Sequence, residues 1–251
     1  MSIRSLDARF RRFETAHDHC VLPGIFMVAR LDGRSFTRLV RQEHEFEAPF
    51  DVRFRDAMVE TLRHLMTCGF PVRYGYTQSD ELSLLFPRDI STFGRKLRKF
   101  NSILAGEASA AFTHALGIRG AFDARISQLP GVDDVVDYFL WRQSDAHRNA
   151  LSGHCYWLLR GLGRSEEEAT AMLQGASVRD RNELLFQHGI NFNELPAWEK
   201  SGIGARWETR LKSGRRADTG EPTEATRREL ELVFDLPRGD AYRSFLRPLA
   251  V

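Results

Sequence analysis

Three carboxylates sit in two short polar turns, each following an apolar run: Asp32 in Asp32-Gly33, and Asp80-Glu81 inside the stretch 73–86, RYGYTQSDELSLLF. Taken singly, a Ser-Asp-Glu turn is ordinarily solvated and Asp-Gly is a common turn pair. Brought together without basic neighbours, the same carboxylates would repel. The usual resolution is a hard divalent cation with oxygen ligands, most often magnesium. Two such ions roughly 3.5–4 Å apart would clamp the attacking and leaving oxygens of a phosphoryl transfer. The chemistry these residue types suggest is nucleotidyl or phosphoryl transfer.

Whether the turns meet depends on the elements that carry them. The run 24–31 is bounded by Pro23-Gly24 and Asp32-Gly33 and reads as a buried strand over 26–31. A helix over 52–68 follows, with Asp51 as N-cap and Phe54, Met58, Leu62 and Leu65 as its buried stripe. The alternation Val72, Tyr74, Tyr76, a polar break, then Leu82, Leu84, Phe86 predicts a hairpin of strands 72–77 and 81–86. A helix over 92–116 and a strand over 121–128 complete the order β-α-β-β-α-β of a ferredoxin-like split unit. In such a sheet the first two strands run parallel with the third between them. Asp32 therefore shares an edge with the Asp80-Glu81 tip. The fold class expected is α+β, a polymerase-like palm over 1–130.

The remainder, 131–251, reads as a mainly helical region with a β-hairpin, packed on the core. Helical periodicity covers 132–159, Ser165-Glu166-Glu167-Glu168 is a capping box, and a helix over 177–188 ends at Gly189. Strands near 203–210 and 228–234 flank a Gly-, Thr-, Arg- and Glu-rich loop over 212–227. At the other terminus Leu6, Phe10 and Phe13 predict an amphipathic helix over 4–16 that packs on the sheet.

A net charge of +2 leaves nucleic-acid binding undecided, so local clusters carry more weight. Basic residues gather at 9–12, at 95–99 and at 210–216; Lys96 and Lys99 share a helical face that is either solvated or set against a triphosphate. Asp123 and Arg125 are ladder-edge or site residues. The three cysteines, Cys20, Cys68 and Cys155, have no metal-site spacing and read as thiols of a reducing compartment. No run approaches the length of a membrane span, and a cytoplasmic protein is expected.

Several motifs in one order, ARLDGRSF, YTQSDELS, the RKF that contains Lys99, FDARI, DYFLWRQSDAHRN, DRNELLF and GINFNELP, resemble the tRNA(His) guanylyltransferase (Thg1) family and its Thg1-like members. Those proteins add nucleotides to the 5′ end of tRNA in the 3′-to-5′ direction. The similarity spans nearly the whole chain and implies the same palm fold. It implies that Asp32, the Gly33 carbonyl and Asp80 bind two magnesium ions, with Glu81 in support. Arg30, Arg34, Ser35, Phe36, Thr37, Ser79 and Lys99 would contact nucleotide, Arg30 and Lys99 on its phosphates. His147, Asn149, Arg181, Asn182, Asn191, Asn193 and Lys200 fall in motifs that would handle the tRNA 5′ end or a second nucleotide.

The implied substrates are tRNA, ATP and GTP or other nucleoside triphosphates, the implied assembly a homo-oligomer, a tetramer in the family. Departures point to the Thg1-like branch, which repairs truncated tRNA 5′ ends by template-dependent addition. The HINNLYN motif of eukaryotic members is here HRNALSG, a lysine before the loop proline is Ala48, the glycine before QSDE is Thr77, and the lysine before Asn182 is Arg181. The competing readings are a guanylyltransferase that adds a single G to tRNA(His), a cyclase-type palm enzyme, and a catalytically silent RNA-binding palm.

Overall fold

A computed structural model describes residues 3–39, 46–215 and 222–251. The elements run α1 (Ile3–Glu14), β1 (Phe26–Gly33), the single turn α2 (Phe36–Arg38), α3 (Val52–Thr67), β2 (Tyr74–Gln78), β3 (Glu81–Leu85), α4 (Leu97–Leu116) and β4 (Phe122–Leu129). They continue with α5 (Val132–Gly161), α6 (Glu166–Leu173), α7 (Val178–Gln187), α8 (Ala197–Ser201), β5 (Ile203–Arg215), β6 (Pro222–Val233) and α9 (Gly239–Ala250). All strands join one antiparallel sheet in the order β4-β1-β3-β2-β5-β6. The first four strands are the ferredoxin-like unit, and the hairpin β5-β6 extends it beyond β2.

Strand side chains alternate between faces, and here both faces are covered. Met27, Ala29, Leu31, Leu82 and Leu84 pack beneath Met58 and Leu62 of α3 and Phe100 and Leu104 of α4. Phe26, Val28, Leu85, Tyr74 and Tyr76 pack against Val136 and Phe139 of α5 and Tyr242 and Leu246 of α9. Double coverage explains the nearly unbroken apolar run of β1, since a strand buried on both faces has no solvent side. Asp51 caps α3 as its sequence predicts, accepting from the Arg53 and Phe54 amides at 2.7 and 3.4 Å; such a cap contributes about 1 kcal/mol. Beyond the sheet, the second half of α5 joins α7 and the Phe192 turn around a smaller core of Ala150, Leu151, Cys155, Leu185 and Phe192.

Three expectations are corrected. The α1 helix forms but buries nothing, and Ile3, Phe10 and Phe13 are 85%, 54% and 64% exposed. Helical spacing decides which side chains share a stripe, whereas packing needs a free face, and the two pairs of helices leave the sheet none. The predicted helix 92–116 is broken: Phe93, Gly94 and Arg95 take left-handed backbone angles, and α4 starts at Leu97. The break turns the Arg95 side chain inward, where it donates to the carbonyls of Val21, Arg88, Ile90 and Ile25 at 3.0, 3.1, 2.9 and 2.6 Å. The predicted loop 212–227 is instead mostly ladder, with Lys212 opposite Ala225 and Arg215 opposite Pro222. Cross-strand charge pairs sustain it, among them Lys212–Glu229 at 2.5 Å. Its centre, 216–221, and part of the loop expected over 32–50, namely 40–45, lie outside the described residues.

Candidate active site on the acidic edge of the palm

Because β1 and β2 run parallel with β3 between them, the end of β1 and the β2-β3 tip share one edge. Asp32 lies opposite Glu81 in the ladder, and the Gly33 amide donates to the Asp80 carbonyl at 3.0 Å. Gly33 has no room for a side chain: a Cβ there would stand 2.6 Å from the Phe36 ring. That ring is buried against Phe112 and Phe122, with centroids 4.9 and 5.0 Å away. Phe36 thus anchors the turn from below, and Ser35, at φ 61°, reverses the chain above it. Arg34 is exposed, its amide donating to the Ala121 carbonyl at 2.7 Å, and Thr37 lies within α2.

The period of two puts Arg30 and Asp32 of β1, Glu81 and Ser83 of β3, and Asp123 and Arg125 of β4 on one face. Lower on that face Phe26 and Val28 meet α5. Near the edge the contacts are ionic. Asp32 accepts from Arg30 Nη2 at 3.1 Å and from Arg125 Nη2 at 2.7 Å. Arg30 Nε stands 2.5 Å from Glu81 Oε1, a close charge contact without hydrogen-bond alignment. From α5, Arg142 closes on the other Glu81 oxygen and on Asp145, the latter at 3.0 Å, while Arg148 holds Asp145 from outside at 2.8 Å. Tyr138 and Ser83 share a hydroxyl contact of 3.3 Å in the same wall.

The expectation of carboxylates without basic neighbours is therefore corrected for Asp32 and Glu81. Beside Arg30, which touches both, their partners come from far along the chain, Arg125 from 93 residues away and Arg142 from 61. Local sequence leaves Arg125 between ladder and site and does not single out Arg142; the signal it carries is the Arg142–Asp145 spacing, which puts both on one helical face. Asp80 differs. Its carboxyl accepts from Ser79 Oγ at 3.2 Å and, among the described residues, has no cationic partner. Burial, helped by the negative charges of Asp32 and Glu81, raises its pKa above the ordinary value.

Among the described residues no three His, Cys, Asp or Glu side chains converge as a metal cage. The oxygens at this edge that could hold an ion are those of Asp32 and Asp80, with the Gly33 carbonyl. All are hard oxygens, one of them on a carboxyl destabilised as an anion. That set fits magnesium, which takes one or two carboxylates and fills its shell with water and substrate phosphate.

Other expected site residues separate into groups. Lys99, in the first turn of α4, lies at the end of the sheet where β1 begins, its ammonium 6.0 Å from the Phe93 ring centroid. The length of the 8-residue β1, about 23 Å, divides it from Asp32. His147 follows Arg142 by roughly 7 Å along α5, its ring against Phe192 with centroids 5.2 Å apart. Burial, then the charges of Arg238 and Lys200, lower its pKa to about 4. Lys200 donates to the Asn193 carbonyl at 2.6 Å, and Asn191 caps the same turn by accepting from the Asn193 amide at 3.1 Å. Arg181 pins α7 to Ser152 and to the Leu173 carbonyl at 3.0 and 3.2 Å, and Asn182 donates to Val178 at 2.8 Å. Asn149 is exposed beside a shallow cavity between α5 and α6 that Tyr156 and Trp157 also line.

A ferredoxin-like palm with carboxylates gathered at the shared edge of its first and third strands is an arrangement suited to metal-assisted phosphoryl and nucleotidyl transfer. Comparison with known proteins makes the class specific: the family described as "tRNAHis guanylyltransferase" matches residues 7–130, and "Thg1 C terminal domain" matches residues 133–233. The chain belongs to the tRNA(His) guanylyltransferase family. It is 33% identical over 195 residues to a probable tRNA(His) guanylyltransferase of Drosophila melanogaster, covering 74% of this chain and 68% of that one. It also superposes on a bacterial Thg1-like protein solved in complexes with ATP and with GTP. The TM-scores are 0.75 and 0.73, at 25% identity and with 98% of this chain and 99% of that chain covered in each case.

Proposed function

We propose that the chain extends the 5′ end of tRNA in the 3′-to-5′ direction, repairing truncated ends against the opposing strand of the acceptor stem. The observation that carries nucleotidyl transfer is the meeting of Asp32 and Asp80 on one sheet edge, Asp80 having no cationic partner among the described residues; the departures HRNALSG, Ala48, Thr77 and Arg181 favour the repair branch. Family membership supports nucleotidyl transfer to a tRNA 5′ end, and the ATP and GTP complexes of the bacterial relative support nucleoside triphosphates as substrates. A 5′-monophosphate is first adenylylated by ATP, releasing pyrophosphate; the 3′-hydroxyl of an incoming nucleoside triphosphate then attacks that phosphate and AMP leaves.

Asp32, Asp80 and the Gly33 carbonyl would hold two magnesium ions, which when bound polarise the attacking hydroxyl and stabilise the leaving group. Glu81, locked between Arg30 and Arg142, keeps the carboxylate edge in register. With Lys99 at the far end of the sheet, Arg30 and Arg125 are the cations we assign to substrate phosphates. His147, neutral at pH 7, and Lys200, both against the Phe192 ring, form the wall we assign to the tRNA 5′ end, with Asn149 on another face of α5. The free cysteines fit a cytoplasmic enzyme, and among the described residues no helix is long and apolar enough to cross a membrane. A homo-oligomer belongs to the same reading.

The test supplies magnesium, ATP and all four nucleoside triphosphates to two 5′-labelled substrates: a tRNA lacking its first nucleotide, and tRNA(His) lacking its extra 5′ G. Extension of the first that follows the opposing base supports repair. Addition of G alone, to tRNA(His) alone, would replace repair with guanylylation, and no extension of either would remove the polymerase reading.

A further inference from the structure

The end of the sheet opposite the acidic edge holds a second cavity, of about 450 Å³, within the range of small-molecule sites. Phe70 and Arg73 reach it from the link between α3 and β2, Trp207 and Arg228 from the base of the β5-β6 hairpin, and Pro87 and Pro248 from the segments after β3 and within α9. The Trp207 indole is held in place by donating to the Val72 carbonyl at 3.0 Å. The Arg228 guanidinium lies over that ring, 4.7 Å from its centroid.

The charges around this cavity are unbalanced. Nearby on the hairpin Arg206, Arg210 and Lys212 all pair with glutamates. Among the described residues neither Arg73 nor Arg228 has a carboxylate partner. A guanidinium stacked on an aromatic ring keeps its N–H edge free, and that planar fork matches phosphate. Two uncompensated forks at the rim of a cavity walled by aromatic and proline rings favour a ligand that is anionic at one end and flat and apolar at the other. We propose that this cavity binds a nucleotide unit, its phosphate on Arg73 and Arg228 and its base among Phe70, Pro87 and Trp207. The unit comes either from a free nucleotide or from an RNA strand lying across the foot of the hairpin. The proposal is independent of the reading given to the acidic edge, which lies about 17 Å further along the strands, Arg73 being level with Met27 and Asp32 five residues beyond it.

The test reads emission from Trp207, isolated as the difference between the wild-type chain and Trp207→Phe. Each is titrated with ATP, with GTP and with a single-stranded RNA hexamer. Saturable quenching of the Trp207 component by a mononucleotide supports a free-nucleotide site; quenching by the hexamer alone supports an RNA site. Either response should weaken at least tenfold in Arg73→Ala/Arg228→Ala and measurably in Arg228→Ala alone, an exposed position that leaves folding intact. No Trp207-dependent response to any ligand, or one that survives in both variants, would overturn the proposal. Nucleotide addition plays no part in the readout, so failure at the acidic edge would leave this result unchanged.

Discussion

Arg142 and Glu81 meet where the long helix α5 crosses the palm: a guanidinium whose side chain is 3% exposed closes on the carboxylate of the first residue of β3. The same guanidinium holds Asp145 one helical turn further on. One side chain thereby ties the acidic edge to the part of α5 that carries His147 and Asn149.

Breaking that tie should cost both stability and turnover. Arg142→Gln leaves Glu81 with its misaligned Arg30 contact and the Gln78 amide at 3.2 Å, and removing one partner of a buried pair costs about 3–5 kcal/mol. The double variant Arg142→Gln/Glu81→Gln should lose less than the two single variants combined, with a coupling of about 1–3 kcal/mol in urea unfolding. Strict additivity would mean that the pair does not hold the edge to α5.

Asp80 should show the opposite balance between stability and activity. Its folded-state pKa is raised, so the native protein binds the proton more tightly than the unfolded chain does. Stability therefore falls as pH rises from the unfolded value through the folded one. Asp80→Asn removes that loss, and at pH 7 its thermal midpoint should exceed the wild type's. Its nucleotide addition should fall at least about a hundredfold, since metal-assisted stabilisation is worth several kcal/mol. A variant with full activity, or one less stable at pH 7, would refute the assignment.

His147 predicts a dependence of the other sign. With a folded pKa lowered to about 4 from an ordinary 6.5, the unfolded chain takes up the proton first. The stability associated with the neutral ring is complete above about pH 6.5 and is lost as pH falls toward about 4. Thermal midpoints of His147→Asn should decline less steeply than those of wild type across that window. The imidazole resonances of His147 should stay in their neutral position at pH 5.5.

Arg95 is a purely structural prediction. Its side chain satisfies four backbone carbonyls from two segments, 21–25 and 88–90. Hydrogen bonds to a charged donor contribute roughly 1.5–3 kcal/mol each in favourable cases. Arg95→Met should therefore destabilise by more than about 3 kcal/mol in urea unfolding. Arg88→Met, which removes one exposed donor to the Gly24 carbonyl, should cost less than about 1 kcal/mol.

Much of this protein is written in short-range pattern. Apolar alternation in 72–86, the cap at Asp51, the box at Ser165, and the order of strands and helices depend on neighbours within a turn or two. They therefore survive reading as a line of letters. That order also required Asp32 and Asp80 to share an edge, because parallel first and second strands end on the same side. Tertiary structure decided what depends on distant chain. Arg125 and Arg142 surround the acids because β4 and α5 pack beside β1 and β3. Lys99 lies at the far end because α4 begins there, and α1 stands exposed because four other helices reached the sheet faces. Periodicity specifies the face a residue points to, while the occupant of that face is set by packing among segments tens of residues apart.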